Sequence, residues 1–337
     1  MKSLRISCIR QNKGIFWVVL ILMTMTVFCL SLWVGSVSVP LKELLSILLG
    51  GDITSVNGKI VFYTRLPRAC GAILAGSALA VSGVVIQTVL NNPLASPGVI
   101  GVNSGAGLAV AVACAIMPMA QQYVSMIAFL GAFFSVMLVM GLSHMTGASR
   151  MTVILAGVAI SNLFSAGIDG VVTLFPDALC GVTDFRIGGL YGVTMEQILP
   201  SAGMILIGIG ILLSLSQQLD ILSLGTDIAG SLGLAVNQVR MLLLILAAAL
   251  TGAAVSFSGL IGFVGLVVPH AMRRILGEES SPLLVGSALG GALFMLVCDL
   301  IARTLFSPFE LPVGIVLSFA GGPFFLWLLF HQKGGRP

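Results

Sequence analysis

A chain of 337 residues that is 58% hydrophobic and only 8% charged, with a formal net charge of +4, lacks the polar surface of a soluble domain, in which about a quarter of residues are charged. That composition excludes a soluble enzyme or a nucleic-acid-binding module and leaves lipid as the main solvent, where helices satisfy their own backbone.

Apolar runs bounded by Gly, Pro, Asn or charge predict an all-α chain with about ten membrane-spanning segments, at 15–36, 69–90, 99–118, 122–143, 151–172, 200–216, 241–258, 259–270, 282–301 and 311–330. The eighth is short and interrupted by Gly262, Gly265 and Pro269, the pattern of a half-helix. Brief connections leave no room for a soluble domain, so 1–337 reads as one transmembrane domain. The longer loops 37–68 and 173–199 each accommodate a short surface helix.

Lys2, Arg5, Arg10 and Lys13 precede the first run, which exceeds a signal-peptide core and is read as a retained helix with residues 1–14 in the cytoplasm. With both termini inside, ten Lys and Arg fall on inside segments and six outside, the direction the positive-inside rule requires. Many glycines lie inside apolar runs, as at Gly71, Gly76 and Gly83, where small residues let helices approach closely. The six cysteines (Cys8, Cys29, Cys70, Cys114, Cys180 and Cys298) form no CxxC pair, and His144, His270 and His331 are scattered, so no metal site is predicted. No GxxxxGK[ST] loop, HExxH or GxSxG elbow is present, so no catalytic residue is assigned.

An internal repeat stands at an offset of 176: residues 72–95 and 248–271 agree at nine of 24 positions, pairing Gly76 with Gly252, Gly83 with Gly259 and Pro93 with Pro269. Two halves of five spans, an odd number, must be inverted relative to one another, an arrangement that places a transport pathway between them.

Four stretches carry functional expectations. Arg65-Leu66-Pro67-Arg68 opens the second span from outside, and with Arg303 it forms either a lipid anchor or a docking patch for an acidic partner. Residues 91–105 hold two prolines and several glycines between spans. Irregular backbone at membrane depth lines a cavity or is buried, so Gln87, Asn91, Pro93, Gly98, Gly101 and Asn103 are expected along a pathway. Within 217–240, a loop expected in the cytoplasm, Leu222, Leu224, Gly225, Asp227, Ala229, Leu232 and Gly233 belong to a stretch too apolar for a solvated turn, which suits a partner protein. The run 259–277 adds Gly262, Gly265 and Pro269 to the pathway residues. Asp299 and Glu310 lie near the ends of the last spans; an ionisable group there requires a partner, and Arg303 is four residues from Asp299.

Taken in order, RLPR, SGxxxQTxxxNPLASPGxxGVNSGAG, LSLGTDIAGSLG, GxIGFVGLVVPHAMRR, DLIAR and ELPVG resemble the permeases of iron-siderophore, haem and cobalamin importers, the type II ABC importers. The resemblance covers about residues 60–330. It implies a permease in the cytoplasmic membrane, paired with a second copy or a sister permease, with two cytoplasmic ATPase subunits that use ATP and magnesium and an extracytoplasmic binding protein. It implies no cofactor on this chain. Under it, Ser223–Val236 contains the helices that couple to the ATPase, and Arg65, Arg68 and Arg303 face acidic residues of the binding protein. The loop Gly277-Glu278-Glu279-Ser280 departs from the family's usual Asp-His-Arg. The competing class is an ion-coupled secondary transporter, for which Asp169 is the best-placed carboxylate.

Overall fold

The computed structural model describes residues 13–51, 53–117, 123–145 and 149–331. Most of the expected cytoplasmic N-terminus, residues 1–12, lies outside the described residues, as does Cys8. Among the described residues there are helices and no strands.

In chain order the helices are α1 (Lys13–Trp33), α2 (Leu41–Leu48), α3 (Val56–Lys59), α4 (Leu66–Leu90), α5 (Val102–Ile116), α6 (Val124–Met145), α7 (Arg150–Leu174), α8 (Leu179–Ile187), α9 (Met195–Ser214), α10 (Ser216–Ser223), α11 (Thr226–Ser231), α12 (Val236–Ser258), α13 (Val264–Leu276), α14 (Ser280–Thr304) and α15 (Val313–His331). Among the described residues, seven helical stretches are long and apolar enough to cross a membrane. The shorter apolar helices α5 and α15, with α13 at 13 residues, complete ten segments in the predicted order. Following the charge count, the end holding Leu90, α10 and α11 is termed inner and the end holding Leu66 and Thr304 outer.

The second span begins earlier than the sequence pattern suggests. Ser55 caps α3 by accepting from the Gly58 amide at 3.0 Å, and a π-helical turn over Ile60–Arg65 joins α3 to α4, giving a continuous 35-residue helix. The Leu66 amide bonds back to the Val61 carbonyl, five residues away, and this widened turn admits Pro67, which has no N–H to give. The Arg-Leu-Pro-Arg stretch is therefore inside a helix. Helix α1 ends where Arg65 donates from Nη1 to the carbonyls of Leu32 (2.9 Å) and Trp33 (2.5 Å), and from Nη2 to Val37, filling acceptors that a helix C-terminus leaves open. The two longer outer loops hold short helices, α2 and α8, and Val39, Leu44, Ile47 and Val61 bury α2 against the start of the second span.

Helices α4 and α12 form the centre, with 78% and 72% of their most apolar stretches buried; α1, α7 and α9 are at 22% and face outward. Ser82 on α4 and Thr251 on α12 join hydroxyls at 2.7 Å where the two cross. Packing repeats between the halves. Helices α5, α6 and α7 pack on one another, as do α13, α14 and α15, while α4 packs on α14 and α12 on α6. The in-helix glycines serve these contacts: a Cβ on Gly83 would lie 2.0 Å from the Gly265 carbonyl oxygen, and one on Gly76 2.2 Å from that of Gly291.

The two copies of the sequence repeat differ locally. In the first, α4 runs through Gly83 and stops at Asn91, whose left-handed backbone (φ 49°) lets the Asn92 amide reach the Gln87 carbonyl at 3.0 Å. In the second, α12 stops at Gly259 (φ 67°), the chain crosses irregularly to Phe263 (φ 66°), and Pro269 lies buried inside α13. The breaks expected at Pro93 and Pro269 are thus made at Asn91 and at 259–263. A positive φ ends a helix, whereas Pro269, sixth in α13, only removes the N–H that would bond the Gly265 carbonyl, and Gln87 Nε2 donates to that carbonyl instead at 3.1 Å.

Candidate translocation pathway and coupling surface

At the inner end, α4 and α13 enclose a cleft of about 500 Å³ lined by Gln87, Asn91, Pro93, Ser223, His270 and Arg273, among others. Arg273 donates to Gln87 Oε1 (2.7 Å) and Thr88 Oγ1 (3.0 Å), and Gln87 Nε2 donates to the Gly265 carbonyl (3.1 Å). This network ties the end of the second span to the half-helix. Arg273 also lies 3.4 Å from the exposed Glu278 carboxylate, and the Arg274 guanidinium stacks 4.8 Å over Trp327.

The nine residues expected along one pathway fall into three places. Gln87, Asn91 and Pro93 line the inner cleft; Gly265 and Pro269 are buried beside it in α13. Gly98, Gly101 and Asn103 sit at the foot of α5, where Ser135 Oγ donates to the Gly101 carbonyl at 2.7 Å and Gly101 adopts φ 83°. Gly262 is exposed in the irregular crossing, with nothing within 4 Å of its would-be Cβ.

That crossing closes the floor of an outer vestibule. Leu260 N–H donates to the Phe185 carbonyl (2.9 Å), Gly189 N–H to Ser258 (2.8 Å) and Gly314 N–H to Gly188 (3.1 Å), so backbone at membrane depth is satisfied by neighbouring loops. Above it lie cavities of about 310 and 720 Å³ that share Asp184, Gly189 and Tyr191. The outer half of α7 exposes Asn162, Ser165, Asp169 and Thr173, spaced so that they share one helix face. Polar groups facing hydrocarbon are costly, so this face fits water or a second subunit. The sequence reading singled out Asp169 alone; spacings of three and four residues among 162, 165, 169 and 173 were the signal for the rest.

Arg65, Arg68 and Arg303 do not form an exposed cationic patch. Each is 3% exposed. Arg68 binds Asp299 through Nε (2.8 Å) and Glu310 through Nη1 (2.5 Å); Arg303 lies 3.3 Å from the other Asp299 oxygen, and Arg65 is committed to the end of α1. The surface expected there for an acidic partner is therefore corrected: the guanidiniums answer carboxylates and carbonyls of their own chain because buried charge must be paired. Glu310 also accepts from Ser36 at 2.9 Å. Burial pushes the Glu310 carboxyl upward, but the Arg68 hydrogen bond and charge, with the Ser36 hydroxyl, bring it below the ordinary glutamate value.

The expected coupling loop folds as α10 and α11. Leu219, Leu222 and Ala229 are fully buried and Asp220 Oδ1 accepts from the Ser280 amide at 2.8 Å, fixing the pair to the foot of α14. Leu222 and Ala229 therefore face the chain's own core and not a partner, a correction to the sequence reading. Leu224, Ile228 and Leu232 are 56%, 53% and 61% exposed, Asp227 is exposed beside them, and Gly225 (φ 110°) and Gly233 (φ 83°) make the turns that bracket α11. Among the described residues no three His, Cys, Asp or Glu gather as metal ligands.

The chain matches the FecCD transport family over residues 22–331. It is 40% identical over 279 residues to the hemin transport system permease protein HmuU of Yersinia pestis, covering 81% of this chain and 83% of that one. Identity to the Fe(3+)-citrate import system permease protein YfmE of Bacillus subtilis is 35% over 323 residues, covering 95% and 96%. To the Fe(3+) dicitrate transport system permease protein FecD of Escherichia coli it is 36% over 305 residues, covering 90% and 94%. A solved metal-chelate type ABC transporter in an inward-facing conformation superimposes with a TM-score of 0.85 at 31% identity, covering 94% of this chain and 99% of the other.

Proposed function

The chain belongs to the FecCD transport family and is a membrane permease of the ABC importer type, and from there we propose that it carries an iron chelate (a siderophore complex, haem or ferric citrate) into the cell at the expense of ATP. Supporting this reading above all is apolar surface beyond the spans: Leu224, Ile228 and Leu232 project from a helix pair anchored to the core by Leu222 and Asp220. Exposed leucines outside the bilayer mark a protein interface. We place a separate ATPase subunit there, on the cytoplasmic side, with both chain termini on that side. ATP and magnesium are used by that subunit, and this chain holds no cofactor.

Two permeases, identical or sister, would enclose the route between their polar α7 faces, each with its own ATPase, and a binding protein would deliver the chelate to the outer vestibule. Alternating access then consists of opening the vestibule above the 259–263 crossing and the cleft below it in turn. The Arg273–Gln87–Gly265 network couples the two because it joins α4 to the helix that follows the crossing.

Uptake of radiolabelled iron chelate into proteoliposomes holding the assembled complex tests the reading. Uptake that requires enclosed magnesium-ATP and stops when the ATPase is omitted is the expected result. Uptake driven by a proton or sodium gradient without the ATPase would establish a secondary transporter, with Asp169 as the carboxylate to examine first.

A further inference from the structure

The carboxylates of the inner end are gathered beside the coupling helices. Residues 217–239 hold Asp220 and Asp227, residues 275–298 hold Glu278 and Glu279, and neither segment contains a Lys, Arg or His. The other segments read as inner, 1–14, 143–150 and 331–337, hold Lys or Arg and no Asp or Glu. The fold joins the two acidic segments. Asp220 Oδ1 accepts from the Ser280 amide at 2.8 Å, and Ser223 and Glu278 line the same inner cleft. Asp220 is engaged in that contact, whereas Asp227, Glu278 and Glu279 are exposed. The two arginines that end α13 are directed elsewhere, Arg274 over Trp327 and Arg273 toward Gln87 and Thr88. Arg273 also lies 3.4 Å from Glu278, but that carboxylate is 84% exposed, and so exposed a pair is weak.

Leu224, Ile228 and Leu232 stand exposed along α11 and its ends. Leucines beyond the spans can rest on lipid or on protein, and the charge beside them decides. A helix that lies on a bilayer carries Lys and Arg on its polar face, because the cytoplasmic leaflet is anionic. Helices α10 and α11 carry Asp220 and Asp227 and no cation, so that leaflet repels them. A protein therefore covers the leucines, and its surface around them is cationic, since like charges facing one another across an interface prevent association. We propose that Asp227, Glu278 and Glu279 form an acidic rim around the apolar contact and pair with Lys and Arg side chains of the ATPase subunit. This rim rests on the placement of that subunit on α11 above, extends it to the loop 277–280, and fixes the charge of the partner's surface.

The rate at which the ATPase subunit associates with tagged permease in detergent, measured from low to high salt, tests the rim. The probe is the subunit that copurifies with wild-type permease and hydrolyses ATP. Glu278→Lys with Glu279→Lys should slow association roughly tenfold at low salt and converge on wild type at high salt, where rim charges are screened. Glu279→Lys alone, which leaves the Arg273–Glu278 pair in place, should show a smaller deficit with the same salt dependence and melt as wild type. Glu196→Lys, an exposed carboxylate at the outer end, should associate as wild type. Leu232→Asp should lose the ATPase at every salt concentration, because it breaks the apolar contact itself. A double variant that associates as fast as wild type at low salt, or a deficit that persists unchanged at high salt, overturns the rim and leaves the ATPase placement standing. A wild-type permease that retains no ATPase, or a Leu232→Asp permease that retains it in full, overturns the placement and the rim with it.

Discussion

At the outer end of the bundle, Arg68, Arg303, Asp299 and Glu310 converge with their charges turned toward each other, and Asp299 is wholly buried. At the inner end, Leu224, Ile228 and Leu232 stand more than half exposed on helices whose other faces are buried. The contrast separates two kinds of conspicuous residue. Charge near a membrane surface is answered inside the chain whenever a carboxylate is within reach, so it does not by itself mark an interface. Apolar side chains beyond the spans have neither lipid nor core to cover them, and under the proposed function the ATPase subunit would do so.

Asp299→Ala should break the self-contained cluster most severely. It leaves Arg68 Nε and Arg303 buried without their carboxylate, at a cost of about 3–5 kcal/mol, read as lost yield and melting temperature in detergent. Pairing it with Arg303→Met should recover part of the loss, because that removes the stranded charge. An unaffected Asp299→Ala protein would mean that the cluster does not hold the outer end together.

Gly83→Ala comes next. Its methyl would meet the Gly265 backbone oxygen, so α4 and α13 must separate, costing about 1–3 kcal/mol of stability. Gly262→Ala, with open space at its Cβ, should melt as wild type. Equal effects at the two glycines would contradict the backbone-to-backbone packing of the half-helix.

These cases also show what the sequence could and could not reveal. The all-helical plan of about ten apolar segments, a short broken segment expected at 259–270 and found as the helix Val264–Leu276, and the in-helix role of Gly76 and Gly83 follow from periodicity and composition, which report burial and close approach directly. Helix ends were less legible, because Asn91 and Phe263 carry positive φ values without being glycine, and Pro67 is absorbed by a π-helical turn that no local pattern announces. Arg65, Arg68 and Arg303 were misplaced on the surface because their partners are remote in sequence: Arg68 meets Asp299 across 231 residues and Glu310 across 242. The polar face of α7 was readable and overlooked. Leu222 and Leu224, two residues apart, face opposite ways, which alternation on a short helix makes hard to assign.

Glu310→Gln sharpens the comparison at the rim of the cluster. The Glu310 side chain is 21% exposed, so the loss should be about 1 kcal/mol or less. Its folded-state carboxyl lies below its unfolded value, so its contribution is present above the ordinary glutamate pKa of about 4.3 and fades as pH falls through the lower folded value. Melting curves of wild type should therefore drop relative to Glu310→Gln across that acidic window and run parallel above it. A difference that grows toward alkaline pH would reverse the assigned sign.

Leu232→Asp should have the smallest effect on the permease itself, since a residue 61% exposed contributes little to its own fold. Its effect on the partner should be the opposite, and this is the most direct test that α10 and α11 couple the chain to an ATPase. The amount of ATPase subunit copurifying with tagged permease should fall at least tenfold in Leu232→Asp while the permease inserts and melts as wild type. Full retention of the ATPase by that variant would contradict the account.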